Sequence, residues 1–143
     1  MNVLIIDDDQ DHLDSISEAL VLNGIKTKKF LNPLDAIEAY KLSEFDAVIT
    51  DIKMPQMDGL ELLKKLLAND PHAFVVIMTG YPYPGDAAKM LDNGAYAFFH
   101  KPLDIYKVID ILSQIEKQIK ENRKRKISTP TKEVSKNLSR KKR

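Results

Sequence analysis

Apolar residues recur along this chain in two rhythms. Val3–Ile6, Ala47–Thr50, Phe74–Met78 and Ala97–His100 are short, nearly unbroken apolar runs, and between them apolar residues return every third or fourth position. Runs of four or five residues are too short for helices. Their β-branched and aromatic side chains, bounded by turn residues, mark them as strands buried on both faces. Lys26–Phe30 is a weaker, lysine-rich run suited to a sheet edge.

The intervening stretches predict five helices. Leu13, Ile16 and Leu20 space out the first, and Gly24 after Asn23 is its natural stop. Asn32-Pro33 opens the second, with Ala36, Ile37 and Tyr40 on its apolar face. Gly59–Leu67 makes the third, expected to turn Leu60, Leu63, Leu66 and Leu67 inward, and Asn69-Asp70-Pro71 ends it. Ala87–Asn93 is a short fourth helix closed by Gly94, after the proline-stiffened loop Tyr81-Pro82-Tyr83-Pro84-Gly85. Ile105, Val108, Ile109, Leu112, Ile115 and Ile119 mark a long amphipathic fifth helix over Leu103–Asn122. Strands alternating with helices predict an α/β fold with helices on both faces of a parallel sheet. The expected architecture is a three-layer, flavodoxin-like (βα)5 doubly wound sheet of order 2-1-3-4-5, with a ligand crevice where strands one and three end side by side.

Charge divides the chain in two. Residues 1–122 carry 12 Lys and Arg against 20 Asp and Glu, a formal −8, whereas residues 123–143 carry 10 against 1, a formal +9. The expectation is one domain over 1–122 and a basic, disordered tail over 123–143, whose Ser, Thr, Pro and dense Lys/Arg show no sustained apolar period. The clusters Arg123-Lys124-Arg125-Lys126 and Arg140-Lys141-Lys142-Arg143 suit nucleic acid or an anionic surface, and equally suit plain solvation. The absence of cysteine removes disulfides, thiolate metal sites and a cysteine nucleophile. The first apolar run is too short for a signal peptide or a membrane span, so a cytoplasmic location is expected.

The candidate chemistry sits at strand ends. Asp7 and Asp8 follow strand one, Asp51 strand three, Thr79 strand four and Lys101 strand five. Each has an ordinary explanation when taken alone: a turn or helix-capping aspartate, a strand-ending threonine, a surface lysine. Jointly, three carboxylates in one crevice repel one another and call for a cation. Lys101 supplies one charge, and oxygen ligands suit Mg²⁺, which keeps waters that a phosphate can replace. Asp51 is placed to act as a nucleophile toward a transient phosphoryl group.

The segments Leu4-Ile5-Ile6-Asp7-Asp8-Asp9, Thr50-Asp51-Ile52-Lys53-Met54-Pro55-Gln56-Met57-Asp58-Gly59, Met78-Thr79-Gly80, Gly94-Ala95-Tyr96-Ala97-Phe98 and Lys101-Pro102 resemble the receiver domain of bacterial two-component response regulators over about residues 1–121. The resemblance implies that Asp51 is the phospho-acceptor. It implies that Asp8, Asp51 and the Lys53 carbonyl bind Mg²⁺ directly, with Mn²⁺ as a substitute, while Asp7 orients a metal-bound water. Thr79 and Lys101 would contact the phosphoryl oxygens, Thr79 and Phe98 would form the switch, and the Lys101–Pro102 peptide would be cis. Phe98 departs from the more usual tyrosine and lacks its hydroxyl. The implied partners are a sensor histidine kinase or a histidine phosphotransfer protein, with a phosphorylation-dependent homodimer as a further implication. The output surface would be the fourth helix, fifth strand and fifth helix.

The wording around Asp51 and Gly94 looks like receivers of the nitrogen-regulatory type, which precede an ATPase and a DNA-binding domain. The basic run after residue 122 favours a free-standing receiver, with the N-terminal part of a larger transcriptional regulator as the alternative. An aspartyl-phosphate hydrolase would want an acid two residues after the nucleophile, where Lys53 stands. A flavin-binding module would want a Ser/Thr/Gly-rich phosphate loop after strand one, where Asp7-Asp8-Asp9 would repel the phosphate.

Overall fold

A computed structural model of the chain describes residues 1–128. Five strands, β1 (Asn2–Ile6), β2 (Lys26–Phe30), β3 (Ala47–Asp51), β4 (Val75–Thr79) and β5 (Ala97–His100), form one parallel sheet in the order 2-1-3-4-5. Its register pairs Ile6 with Thr50, Asp51 with Met78 and Thr79 with His100. Asp7 therefore lies level with Asp51, and Lys101 just beyond Thr79, all at one end of the sheet.

Alternate residues of each strand feed two cores. Leu4, Ile6, Val48 and Ile77 pack against α2 (Pro33–Leu42), α3 (Gly59–Asn69) and α4 (Asp86–Asp92). Val3, Ile5, Ile49, Val76 and Met78 pack on the other face against α1 (Gln10–Leu22) and α5 (Ile105–Ser128). The buried strands need no polar alternation because neither face meets water. Side-chain oxygens cap three of the helices: Asp9 accepts from the amides of Asp11 and His12, Asn32 from Leu34, and Asp58 from Glu61.

Three sequence expectations change. In α3 the fully buried leucines are Leu62, Leu63 and Leu66, and Leu60 and Leu67 are only partly covered. The helix carries leucines at 60, 62, 63, 66 and 67, so two overlapping apolar arcs fit the periodicity, and docking on the sheet selects one. Secondly, the connection after Asp51 is not plain turn: Lys53–Met54 and Met57–Asp58 form a small antiparallel ribbon. Thirdly, α5 begins at Ile105 and does not stop at Asn122 but runs through Ser128. Lys and Arg are good helix formers and favour a helix C-terminus, so the first basic cluster extends the helix. The remainder of the expected tail, 129–143, lies outside the described residues.

Gly59 fixes how that ribbon meets α3. Its amide donates to the Ile52 carbonyl at 2.8 Å, and a Cβ built there would lie 2.5 Å from the Ile52 Cα, Cβ and Cγ2 atoms. Backbone cannot give way as a flexible side-chain end would. Gly59→Ala is expected to lose about 2–3 kcal/mol by overpacking, against less than about 1 kcal/mol gained from better helix propensity. Urea unfolding of the two proteins checks this, and equal midpoints would show that the Ile52 segment can shift freely.

Candidate functional site

The site lies at the carboxyl end of the sheet, where the chain leaves β1 and β3 for α1 and α3 on opposite faces. Asp7 is wholly buried and Asp51 nearly so, both at positions where a strand must hand over to a loop. Asp8 is exposed. Among the described residues, Asp7, Asp8 and Asp51 each offer a carboxylate oxygen within 4.8 Å of the others. The third aspartate of the run serves another purpose, since Asp9 caps α1.

Lys101 reaches in from the end of β5 and offsets this charge. Its ammonium lies 2.7 Å from Asp7 Oδ2 and 2.9 Å from Asp51 Oδ2. The other oxygens are also engaged, with Asp7 Oδ1 accepting from the Asp9 amide and Asp51 Oδ1 from the Lys53 amide. Burial alone pushes the Lys101 ammonium down, but its hydrogen bonds and charge contacts to Asp51 and Asp7 prevail and raise it above 10.5. The Lys101–Pro102 peptide is cis.

Partial desolvation, then the neighbouring Asp7 and Asp51 charges, hold the Asp8 carboxyl above its ordinary 3.8. A carboxyl raised by folding costs stability once ionised, so the cost is absent at low pH and appears as pH rises through the raised value. Asp8→Asn should therefore stabilise the cation-free protein near neutral pH. The gain is about 0.5 kcal/mol, small because the exposed side chain is screened by water. The advantage should vanish as pH falls toward 3.8. Thermal unfolding in chelator at several pH values measures it, and a variant less stable at neutral pH would show that Asp8 makes a stabilising contact.

Thr79 is fully buried at the end of β4. Its carbonyl accepts from the Lys101 amide at 2.8 Å and its hydroxyl accepts from the Tyr81 amide at 3.2 Å. Beyond it, the Tyr81-Pro82-Tyr83 loop is strapped to the β3 side of the crevice by Lys53, whose ammonium donates to the Tyr81 carbonyl and sits 3.9 Å from the Tyr83 ring centroid. Phe98 is half-buried on β5, edge-on to His100 at 5.9 Å, and packs against the core that holds Ile77 and Met90. All the strand-end residues singled out in the sequence thus surround one crevice, with Phe98 set back in the α4 side of the sheet.

One neighbour was not singled out. His12, in the first turn of α1, places Nδ1 3.1 Å from Lys101 Nζ and 3.5 Å from Asp7 Oδ2. It also borders an apolar hollow of about 280 Å³ between α1 and the start of α5, lined by Ile16, Ala19, Leu103 and Ile105.

A family model described as the response regulator receiver domain matches residues 3–113. The chain belongs to this family. The receiver is 32% identical over 125 residues to the C4-dicarboxylate transport transcriptional regulatory protein DctD of Rhizobium meliloti, a match covering 85% of this chain and 27% of that protein. It is 31% identical to sporulation initiation phosphotransferase F of Bacillus subtilis, covering 78% of this chain and 90% of that one. Among solved structures, a CheY-like response regulator receiver domain protein from Methanospirillum hungatei superposes with a TM-score of 0.77 at 29% identity, over 84% of this chain and 97% of that one. The receiver spans about a quarter of the length of the transcriptional regulators it matches. No helix among its described residues is long and apolar enough to cross a membrane.

The acidic cluster fits a hard divalent cation: three carboxylates converge, each offers an oxygen donor, and Asp8 is exposed to solvent. The converging carboxylates of Asp7, Asp8 and Asp51 are the groups among the described residues that would hold Mg²⁺.

Proposed function

We propose that this receiver takes a phosphoryl group on Asp51 from a phosphohistidine of a sensor histidine kinase or phosphotransfer protein, in the cytoplasm, and changes its α4–β5–α5 surface in response. The observation that carries this reading is the nearly buried Asp51 carboxylate held 2.9 Å from the Lys101 ammonium at the switch point of the sheet. An Asp51 oxygen attacks phosphorus in line with the imidazole nitrogen. The P–N bond breaks as the O–P bond forms, and the imidazole leaves with the electron pair and takes a proton from water. Lys101 donates to an equatorial phosphoryl oxygen and offsets the charge that Asp51 and phosphate share. A bound divalent cation would supply further stabilisation of the equatorial oxygens.

The product carries about −1.5 to −2 charge where one carboxylate stood. Thr79 offers a buried hydroxyl at the adjoining strand end, and turning it to donate to the phosphate breaks its contact with the Tyr81 amide. Movement there passes into the loop before α4 and frees room toward which half-buried Phe98 can turn. Moving a two-state equilibrium from 1:99 to 99:1 requires about 5.5 kcal/mol. Two charge-assisted hydrogen bonds, about 1.5–3 kcal/mol each, come near that figure. Incubation with acetyl phosphate and Mg²⁺ tests the reading: intact mass should show one phosphate that is labile to base. A protein that never gains it is not a phospho-acceptor.

A second reading, the receiver portion of a larger transcriptional regulator, is favoured by the regulators it matches and by α5 continuing past the sheet. The basic end of the chain, beginning with Arg123, Lys124 and Arg125 exposed on α5, is proposed as an anion-binding arm. Binding to duplex DNA or anionic vesicles should fall steeply with salt and disappear on truncation after Asn122. If the full chain binds neither at low salt, the charges serve solvation alone.

A further inference from the structure

The Lys101 ammonium has three N–H donors and no acceptor. Two are taken by Asp7 Oδ2 at 2.7 Å and Asp51 Oδ2 at 2.9 Å. The third nearby acceptor is His12 Nδ1 at 3.1 Å. Because a protonated lysine can only donate, Nδ1 must accept, which places the imidazole proton on Nε2. The alternative partners of Nδ1, Asp7 Oδ2 at 3.5 Å and Asp9 Oδ2 at 3.6 Å, lie beyond hydrogen-bond length. His12 is itself anchored, since its amide donates to the capping Asp9 carboxylate.

We propose that His12 is a positioning residue for phosphoryl transfer, acting through Lys101: by accepting the third N–H it completes a three-point fixture that keeps the ammonium aimed at Asp51. Nothing in the receiver resemblance assigns a role to this position. The two carboxylates lie on the inner side of the ammonium and His12 on the outer, half-exposed side. Without His12, the third N–H turns to bulk water and the long lysine stem gains freedom to swing toward the mouth of the crevice. Lysine pays for such disorder because its four-carbon stem carries several rotatable bonds, so an ammonium held on two sides only spends less time in the reactive direction. When a phosphoryl group arrives on Asp51, the N–H that pointed at Oδ2 passes to a phosphoryl oxygen, while Asp7 and His12 retain the other two.

This inference rests on the phospho-acceptor reading, and the test separates the two. Asn places its Oδ1 where the His12 Nδ1 stands, as many bonds from Cβ, whereas Leu fills the space without an acceptor. His12→Leu is expected to slow phosphorylation by acetyl phosphate in Mg²⁺ by roughly three- to tenfold, the worth of one hydrogen bond. His12→Asn should restore most of the rate, with thermal stability and Mg²⁺ affinity close to wild type in both. The small phosphodonor makes no contact as a partner protein would, so docking effects are excluded. The side-chain ¹H–¹⁵N signal of the Lys101 ammonium gives an independent readout: it should be sharp in wild type and His12→Asn and broadened by exchange in His12→Leu. A wild-type rate in His12→Leu, or a slowing that Asn does not rescue, overturns the positioning role. Should wild type take no phosphate at all, the phospho-acceptor reading fails. The ammonium signal then still decides the contact, and one unchanged in His12→Leu overturns it.

Discussion

Asp51→Asn is expected to remove phosphorylation altogether. Asparagine keeps the size of the side chain and can still accept from the Lys53 amide, which now bonds Asp51 Oδ1 at 3.1 Å. What it lacks is the anionic oxygen that must form the bond to phosphorus, and an amide is a poor nucleophile for that step. The fold should survive, because one of three mutually repelling carboxylates has gone. Treatment with acetyl phosphate and Mg²⁺, followed by intact mass, should show one labile phosphate on wild type and none on the variant. Unchanged labelling of Asp51→Asn would falsify the assignment and move attention to Asp8, the exposed member of the cluster. Labelling that survives treatment with base would point instead to a serine, threonine or tyrosine ester.

Lys101→Met should have the largest effect on stability. The thioether preserves most of the buried stem, so the change isolates the ammonium. It leaves wholly buried Asp7 and nearly buried Asp51 without their shared counter-charge. Removing one partner of a buried ion pair typically costs 3–5 kcal/mol, and the slight solvent access of Asp51 places the expectation near the bottom of that range, about 3 kcal/mol in chelator. Millimolar Mg²⁺ should recover part of the loss, because a cation bound by the same carboxylates takes over the compensation. The raised lysine value gives the matching pH dependence in wild type. A base held above its ordinary value by folding contributes stability that is complete below 10.5 and is lost as pH climbs through the raised value. Urea unfolding with and without Mg²⁺ reads all three effects. If Lys101→Met equals wild type in chelator, the ammonium's own desolvation cancels its pairing.

The sheet was legible in the sequence for a physical reason. Val3–Ile6 and Val75–Met78 are essentially inaccessible to water, and a strand covered on both faces leaves an unbroken apolar run. Asp7, Asp51, Thr79 and Lys101 were legible for the complementary reason: polar residues that directly follow such runs must sit at a strand end, and parallel order collects those ends in one place. The phase of α3 was not legible, because Leu60, Leu62, Leu63, Leu66 and Leu67 satisfy two neighbouring apolar arcs. The Lys53–Met54 and Met57–Asp58 ribbon is too short to impose a period. The run of α5 past Asn122 did leave a signal, the lack of Gly or Pro before Pro130, which the polar composition obscured. His12 left none. A lone histidine in a first helical turn looks like any surface residue until the fold brings Lys101, 89 positions away, to its ring.

The length of α5 has a mechanical consequence. Its 24 residues make a rod of about 36 Å, while a five-residue strand of the sheet it lies on spans about 17 Å. Ile119 still packs on the core and Arg123 borders a hollow with Asp46 and Phe74, so α5 follows the body for most of its length and about its last turn and a half runs past it, with its root at Ile105 a few residues from Lys101. A rod that tilts as a whole about its root amplifies rotation with distance. A tilt of about 5° at the root displaces the far end by about 3 Å, which is the size of a hydrogen bond made or lost. A rearrangement too small to notice beside the lysine thus reaches the size of a whole contact at the far end of the helix.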